Sequence, residues 1–486
     1  NKAKNYFVWD GKGLKNITSK IKVPLYNEEN DVPDDPNPYG IMGWHTADSF
    51  VYVYDRYDVW KVDPANVLPP KLFISGRAQK NSFRYVKVDP EERFINPAQP
   101  LFFRLQNQKS KMSNIYFRTP AGSIERWLTP FSTYSYNTFI KAKDAAAFAY
   151  TRENYTSSPD LFFVGTGTND LAKAKYENVK ITQLSNINPQ QSAYNWGNAE
   201  LYHWKAFDGK EATGILYKPE DFDASKKYPM LIYFYEKLSD GLYTYSAPAP
   251  TPSRLNIPFF VSRGYLVFAP DISYEIGYPG KSAEEFINSG VESLKKNPWV
   301  DGSKIGIQGQ SWGGYQVAHL ITRTNMYAAA WAGAPVVNMT SAYGGIRWES
   351  GMSRQFQYEK SQSRLGATLW EKPELYIENS PLFHLPKVNT PVVIMSNDAD
   401  GAVPWYQGIE MFTALRRLNK PVWLLNYNNE AHNLVLRQNR KDIQIREQQF
   451  FDHFLKGKPA PYWMEKGVPA TEKGKNWGFE VQPLVN

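Results

Sequence analysis

Two groupings in this chain have residue types and spacing that could do chemistry. The first is Gly309-Gln310-Ser311-Trp312-Gly313-Gly314. It follows an apolar run at 304–307 and precedes a helical pattern at 315–323, so it reads as a G-x-S-x-G turn between a strand and a helix. Such a turn lifts the serine hydroxyl clear of the sheet edge. The glycines let neighbouring backbone pass where a Cβ would clash, and free amides at the helix start face any negative charge developing there. A serine hydroxyl is a weak nucleophile and needs a base with a pKa near the working pH, which makes histidine the expected partner.

The second grouping supplies that base. Of six histidines, His45 lies in the front of the chain, His203 in a predicted strand and His319 inside the helix after Ser311. His384 precedes the seventh predicted strand of the back half, and His453 sits among Phe450, Phe451 and Phe454 on the last helix. His432 alone occupies a polar loop, Asn428-Asn429-Glu430-Ala431-His432-Asn433, between the last strand and the last helix. A carboxylate should hold one imidazole nitrogen and stabilise the imidazolium that forms. Asp398 and Asp400 both follow the seventh strand, and alternation leaves both open, with position in the loop favouring Asp400.

The elements that must position these residues begin near 195. Two antiparallel strands at 201–207 and 212–217 are followed by apolar runs at 228–235, 265–270, 304–307, 328–332, 391–396 and 422–427, separated by helical patterns. That order predicts an α/β-hydrolase sheet covered on both faces. Ser282 and Glu285 have capping-box spacing before the stripe Phe286, Ile287, Val291 and Leu294, and a last helix is expected over 441–456. Residues 1–190 instead alternate as short strands at 50–55, 59–63, 83–88, 101–105, 114–118, 146–152 and 161–164. Turn clusters at Asp55-Arg56, Asp89-Pro90 and Ser157-Ser158-Pro159-Asp160 space them like β-propeller blades of roughly 40 to 50 residues, of which about four fit. The fold class is therefore α/β: an all-β, incomplete propeller region over 1–190, a hydrolase over 195–458 and a tail over 459–486.

Composition narrows the function classes. Fifty-six Lys and Arg against 48 Asp and Glu give +8, but no basic run of five occurs, which describes a solvated surface rather than a nucleic-acid site. With no cysteine, disulfides, thiolate catalysis and Cys-ligated zinc are excluded, and no cofactor or metal is implied. The longest nearly apolar stretch, 326–337, is shorter than the roughly 20 residues a bilayer span needs. The chain starts with Asn and has no leader pattern. The expectation is the carboxyl-terminal part of a longer secreted or periplasmic precursor, whose missing blades or a second copy cover the open strand edges.

Ser311-Trp312-Gly313-Gly314-Tyr315, Ala399-Asp400 and Glu430-Ala431-His432 together resemble the prolyl oligopeptidase family of serine peptidases, particularly its dipeptidyl peptidase and acylaminoacyl peptidase branches. The resemblance implies a peptidase that cleaves short peptides through a Ser311, His432, Asp400 triad and an acyl-enzyme. Its acid lies a little over thirty residues before the histidine, which selects Asp400. It also implies an oxyanion site made of the Trp312 amide and a tyrosine hydroxyl ending the third strand. Tyr235 matches, although Glu236-Lys237-Leu238 replaces the family's Gly-Gly-Pro and leaves Tyr233 open. Met339, Tyr343, Ile346 and Trp348 fall where the family builds a substrate pocket. Ala402 stands where dipeptidyl peptidases often carry Asn, and neither Glu28-Glu29 nor Glu91-Glu92 is placed as an amine anchor. The alternative on the same fold is a carboxylesterase, since the same triad cleaves esters.

Overall fold

A computed structural model describes residues 4–120, 125–171, 173 and 176–481. The chain forms two compact units, one of Asn1–Asn30, Asp35–Gln191 and Asp240–Tyr245, the other of Asp31–Asp34, Ser192–Ser239 and Ser246–Asn486.

The first unit is β-propeller-like. It contains three four-stranded antiparallel sheets, each made of strands consecutive in the chain, and the hairpin Phe7–Trp9 with Leu14–Asn16. Blade-like sheets thus number three plus a hairpin among the described residues, rather than four. Turn chemistry closes the connections: Asp55 Oδ1 accepts the amides of Tyr57 and Asp58 at 2.7 and 2.8 Å, and its Oδ2 accepts Trp60 Nε1 at 2.8 Å. The Ser157–Asp160 cluster is not a turn. It opens the strand Ser157–Gly165, and Pro159 sits where the register shifts against Ala147–Asn154, a position that tolerates its missing N–H.

The second unit is built on an eight-stranded sheet: β1 Asn198–Lys205, β2 Glu211–Lys218, β3 Tyr228–Tyr233, β4 Leu266–Pro270, β5 Val300–Gln310, β6 Ala329–Gly333, β7 Val392–Met395 and β8 Val422–Leu425. Their order is β1-β2-β4-β3-β5-β6-β7-β8. The first two pairings are antiparallel and the rest parallel. This is an α/β-hydrolase sheet. Every residue of β4, β6 and β7 is buried, as expected for central parallel strands covered on both faces.

Three helices matter for the site: α1 Trp312–Arg323, α2 Tyr406–Arg417 and α3 Arg437–Lys456. The helix read from Ser282 starts earlier, with Pro279 in its first turn, and passes through a π-turn at Glu284–Asn288 before ending at Leu294. Ser282 is therefore inside the helix, where its hydroxyl bonds the Tyr278 carbonyl at 2.9 Å instead of capping. Residues 459–481 are not a loose tail. Arg446 and Gln449 of α3 donate to the carbonyls of Trp477 and Phe479 at 2.9 and 2.7 Å. Residues 482–486, the end of the expected tail, and residues 1–3 lie outside the described residues.

Candidate active site

Ser311 sits between β5 and α1 at φ 62°, ψ −114°, a conformation that L-residues hold only when their surroundings impose it. Its amide donates to the Gly333 carbonyl of β6 at 2.8 Å. The glycines of the motif allow this packing. A Cβ on Gly309 would lie 2.4 Å from the Gly313 carbonyl, one on Gly313 2.6 Å from the Phe234 carbonyl, and one on Gly314 2.2 Å from the Gly333 carbonyl. Any larger residue would push the turn off the two strands that clamp it.

His432 Nδ1 lies 2.7 Å from Asp400 Oδ2. The other carboxylate oxygen, Asp400 Oδ1, accepts the amides of Ala402 and Val403, both at 2.8 Å, so the buried carboxylate has one oxygen fixed by backbone and one left for the imidazole. Asp398 is used differently: it accepts from Asn428 Nδ2 and the Asn429 amide, each at 2.6 Å, and shapes the histidine loop. Glu430, buried, folds the next turn by accepting the amides of Val435 and Leu436 and the Asn439 side chain. Gln310 Nε2 holds the His432 carbonyl at 2.9 Å. The base is thus tied to the strand that carries the serine. The remaining histidines are engaged elsewhere; His319, for example, bonds Glu284 at 2.7 Å, and His203 bonds Thr213 at 2.9 Å.

Ser311 and His432 line one cavity of about 270 Å³ together with Tyr235, Trp312, Val336, Arg347, Gln357, Gln362, Ser363, Ala402 and Val403. Of the two candidate tyrosines, it is Tyr235 that faces this space. Its hydroxyl accepts from Gln362 Nε2 at 2.9 Å, and its carbonyl accepts from Gln316 Nε2 at 2.7 Å and the Tyr274 hydroxyl at 3.2 Å. Because the hydroxyl oxygen already accepts, its own proton is free to point at a substrate oxygen. Tyr233 ends β3 partly buried, and desolvation of its phenol pushes it up to about 12. The Trp312 indole donates to Tyr274 at 3.1 Å and stacks on Tyr315, fixing the first residue of α1.

The four expected pocket residues do not line this cavity. Met339 and Tyr343 lie on one short helix and are buried in the core, with the Tyr343 hydroxyl bonded to Glu359 at 2.6 Å. Ile346 and Trp348 are 40% and 70% exposed. Arg347, between them, is the residue that reaches the cavity. Gln357, Gln362 and Ser363 belong to no motif, and only their spatial convergence identifies them. In the first unit, Glu28 and Glu29 pair with Arg77 and Arg56 at 3.2 and 2.5 Å, and Glu92 accepts the Tyr85 hydroxyl at 2.6 Å. Among the described residues, no helix is long and apolar enough to cross a membrane, and no three His, Asp or Glu side chains are grouped to hold a metal.

Residues 252–458, which contain the elbow serine, both loop carboxylates and His432, match the family model described as prolyl oligopeptidase family. Over this segment the chain is similar to the prolyl oligopeptidase family. Similar proteins include the dipeptidyl-peptidase 5 of Porphyromonas gingivalis, 25% identical over 312 residues that cover 59% of this chain and 41% of the relative. The acylamino-acid-releasing enzyme of Rattus norvegicus is 30% identical over 175 residues, covering 35% of this chain and 24% of the relative. The chain spans under half the length of these relatives. A similar fold is seen in the crystal structure of Porphyromonas gingivalis dipeptidyl peptidase 4, with a TM-score of 0.63 at 18% identity over 87% of this chain and 58% of the other.

Proposed function

We propose that this chain is a serine peptidase acting on short peptides through an acyl-enzyme. The observation that carries the reading is that Ser311, held at positive φ on its elbow, and His432, bonded through Nδ1 to Asp400, open into one cavity. In this mechanism His432 Nε2 removes the Ser311 proton as Oγ attacks the scissile carbonyl, and later returns it to the leaving amine. Asp400 keeps the Nδ1 proton in place and stabilises the imidazolium. The carbonyl oxygen becomes an oxyanion that the Trp312 amide and the Tyr235 hydroxyl stabilise, because both are oriented before charge develops. Water then attacks the acyl-enzyme by the same proton path.

The names of the relatives, a dipeptidyl-peptidase and an acylamino-acid-releasing enzyme, suggest release of short units from a peptide amino end. Hydrolysis across free-amine dipeptidyl, acyl-amino-acyl and internally blocked chromogenic peptides tests this, with Ser311→Ala as the control. Turnover of at least one peptide series, abolished in Ser311→Ala, is expected. Turnover that survives Ser311→Ala, or cleavage of simple esters with no peptide series cleaved, overturns it.

A further inference from the structure

The site carries one fixed cation that the triad chemistry does not use. Arg347 lies on the hairpin of Ile346–Arg347 with Met352–Ser353 and lines the same cavity as Ser311 and His432. No Asp or Glu is among the residues lining that cavity. Three nearby acids are committed elsewhere: Asp400 to His432 and two amides, Glu359 to Tyr343, and Glu236 to Arg364.

The next two arginines along the chain, Arg354 and Arg364, are engaged by the protein. Arg364 is clasped by Asp31 at 2.9 Å and Glu236 at 3.4 Å and covers the Tyr274 ring. Arg354, fully buried, donates to the Ala402 carbonyl and to Tyr358. Arg347 makes no ion pair among the described residues, and its guanidinium makes a single long hydrogen bond there, 3.4 Å to Gln357 Oε1.

Resting on the serine peptidase reading, we propose that Arg347 is a specificity-determining residue that gives the Ser311 cavity a preference for substrates with a carboxylate beside the scissile bond. A planar guanidinium with unused N–H groups matches a carboxylate two bonds at a time. In a partly enclosed site that contact is screened less than at an open surface. Val336, Ala402 and Val403 supply apolar wall for methylenes, and Gln357 and Ser363 supply further polar partners. The same fixed charge disfavours a basic side chain in that position. The carboxylate has two possible sources: an Asp or Glu side chain on the acyl side, or the free carboxyl end of a short leaving group.

Two substrate sets separate them. Matched 4-nitroanilides with Glu, Gln, Leu or Lys before the cleaved bond read the acyl side. Tripeptides with free or amidated carboxyl ends, followed by mass spectrometry, read the leaving group. The wild-type protein should favour the carboxylate member of one set by about tenfold or more in kcat/KM, the gain of one charge-assisted hydrogen-bonded pair. Arg347→Gln should erase that ratio, and Arg347→Glu should invert the acyl-side series toward Lys if that arm is the source. A ratio within about twofold in both wild-type sets, or an equal loss on every substrate in Arg347→Gln, overturns the proposal. Fluorophosphonate labelling of Ser311 in the wild-type protein, read in parallel, reports on the nucleophile alone. Labelling without carboxylate preference refutes only the role of Arg347, whereas absent labelling refutes the reading beneath it.

Discussion

Replacing Asp400 by Asn changes one atom pair, and the geometry dictates how the damage arises. Oδ1 of Asp400 accepts two amides, from Ala402 and Val403. If the new amide turned its NH₂ toward them, two buried donors would lose their acceptor at about 1–3 kcal/mol each. The carbonyl oxygen therefore stays on the backbone and the NH₂ faces His432 Nδ1, 2.7 Å from the present Oδ2. Nδ1 must then become an acceptor, which moves the ring proton to Nε2, the nitrogen that has to take the Ser311 proton. A triad locked in the wrong tautomer loses about 10⁴ in kcat, which at 1.36 kcal/mol per decade is about 5.4 kcal/mol of transition-state stabilisation. Asp398→Asn keeps an acceptor for the 428–429 turn and lies at the surface, so it should stay within about 0.5 kcal/mol, or roughly twofold. The assay is kcat on one chromogenic peptide for wild type and both variants, with circular dichroism to show that each folds. A folded Asp400→Asn protein within tenfold of wild type, or a larger loss in Asp398→Asn, would falsify the argument.

Tyr235→Phe should lower kcat about 10²-fold, roughly 3 kcal/mol, with Tyr233→Phe near wild type, because only the Tyr235 hydroxyl faces the cavity. Gln362→Met should lower kcat by about tenfold and have no further effect in the Tyr235→Phe background, since it acts by orienting that hydroxyl; additive losses would contradict this. Glu447 of α3 is buried, and that burial raises its carboxyl well above the usual carboxylate range despite a hydrogen bond with Gln308. The folded state therefore binds this proton more tightly than the unfolded state, so the stability it contributes is full at acid pH and falls as pH rises above the ordinary carboxylate range. Glu447→Gln should remove that decline, raising Tm at neutral pH and narrowing the gap to wild type near pH 4; equal Tm curves at all pH values would refute it.

The hydrolase sheet was legible because its central strands are short continuous apolar runs, buried on both faces. The runs at 265–270 and 391–396 differ from β4 and β7 by one or two residues. β5 extends further than its apolar part, since Asp301-Gly302-Ser303 reads as a loop yet lies within Val300–Gln310. In the propeller-like unit the inner strands were visible and some edge strands were not: Lys71–Ile74 is exposed over its first two residues and Lys180–Gln183 over most of its length, and both carry little alternation. The nucleophile and base were legible because local spacing defines an elbow and a polar loop. The cavity wall was not. Apolarity drew attention to Ile346 and Trp348, but successive side chains on an extended segment point to opposite faces, and the residue that reaches the cavity is the polar one between them, Arg347. Gln357, on the short helix Gln355–Glu359, and Gln362, in the turn after it, reach the site from elements too short to leave a periodic trace.

The central claim is that Ser311 is a nucleophile activated by His432. The most direct test is fluorophosphonate labelling followed by mass-spectrometric localisation of the adduct, in wild type and in His432→Ala. The account predicts one adduct, on Ser311, forming quickly in wild type and at least about 10³-fold more slowly in His432→Ala, because the serine then lacks its base. An adduct on another serine, or labelling of Ser311 at an unchanged rate without His432, would contradict it.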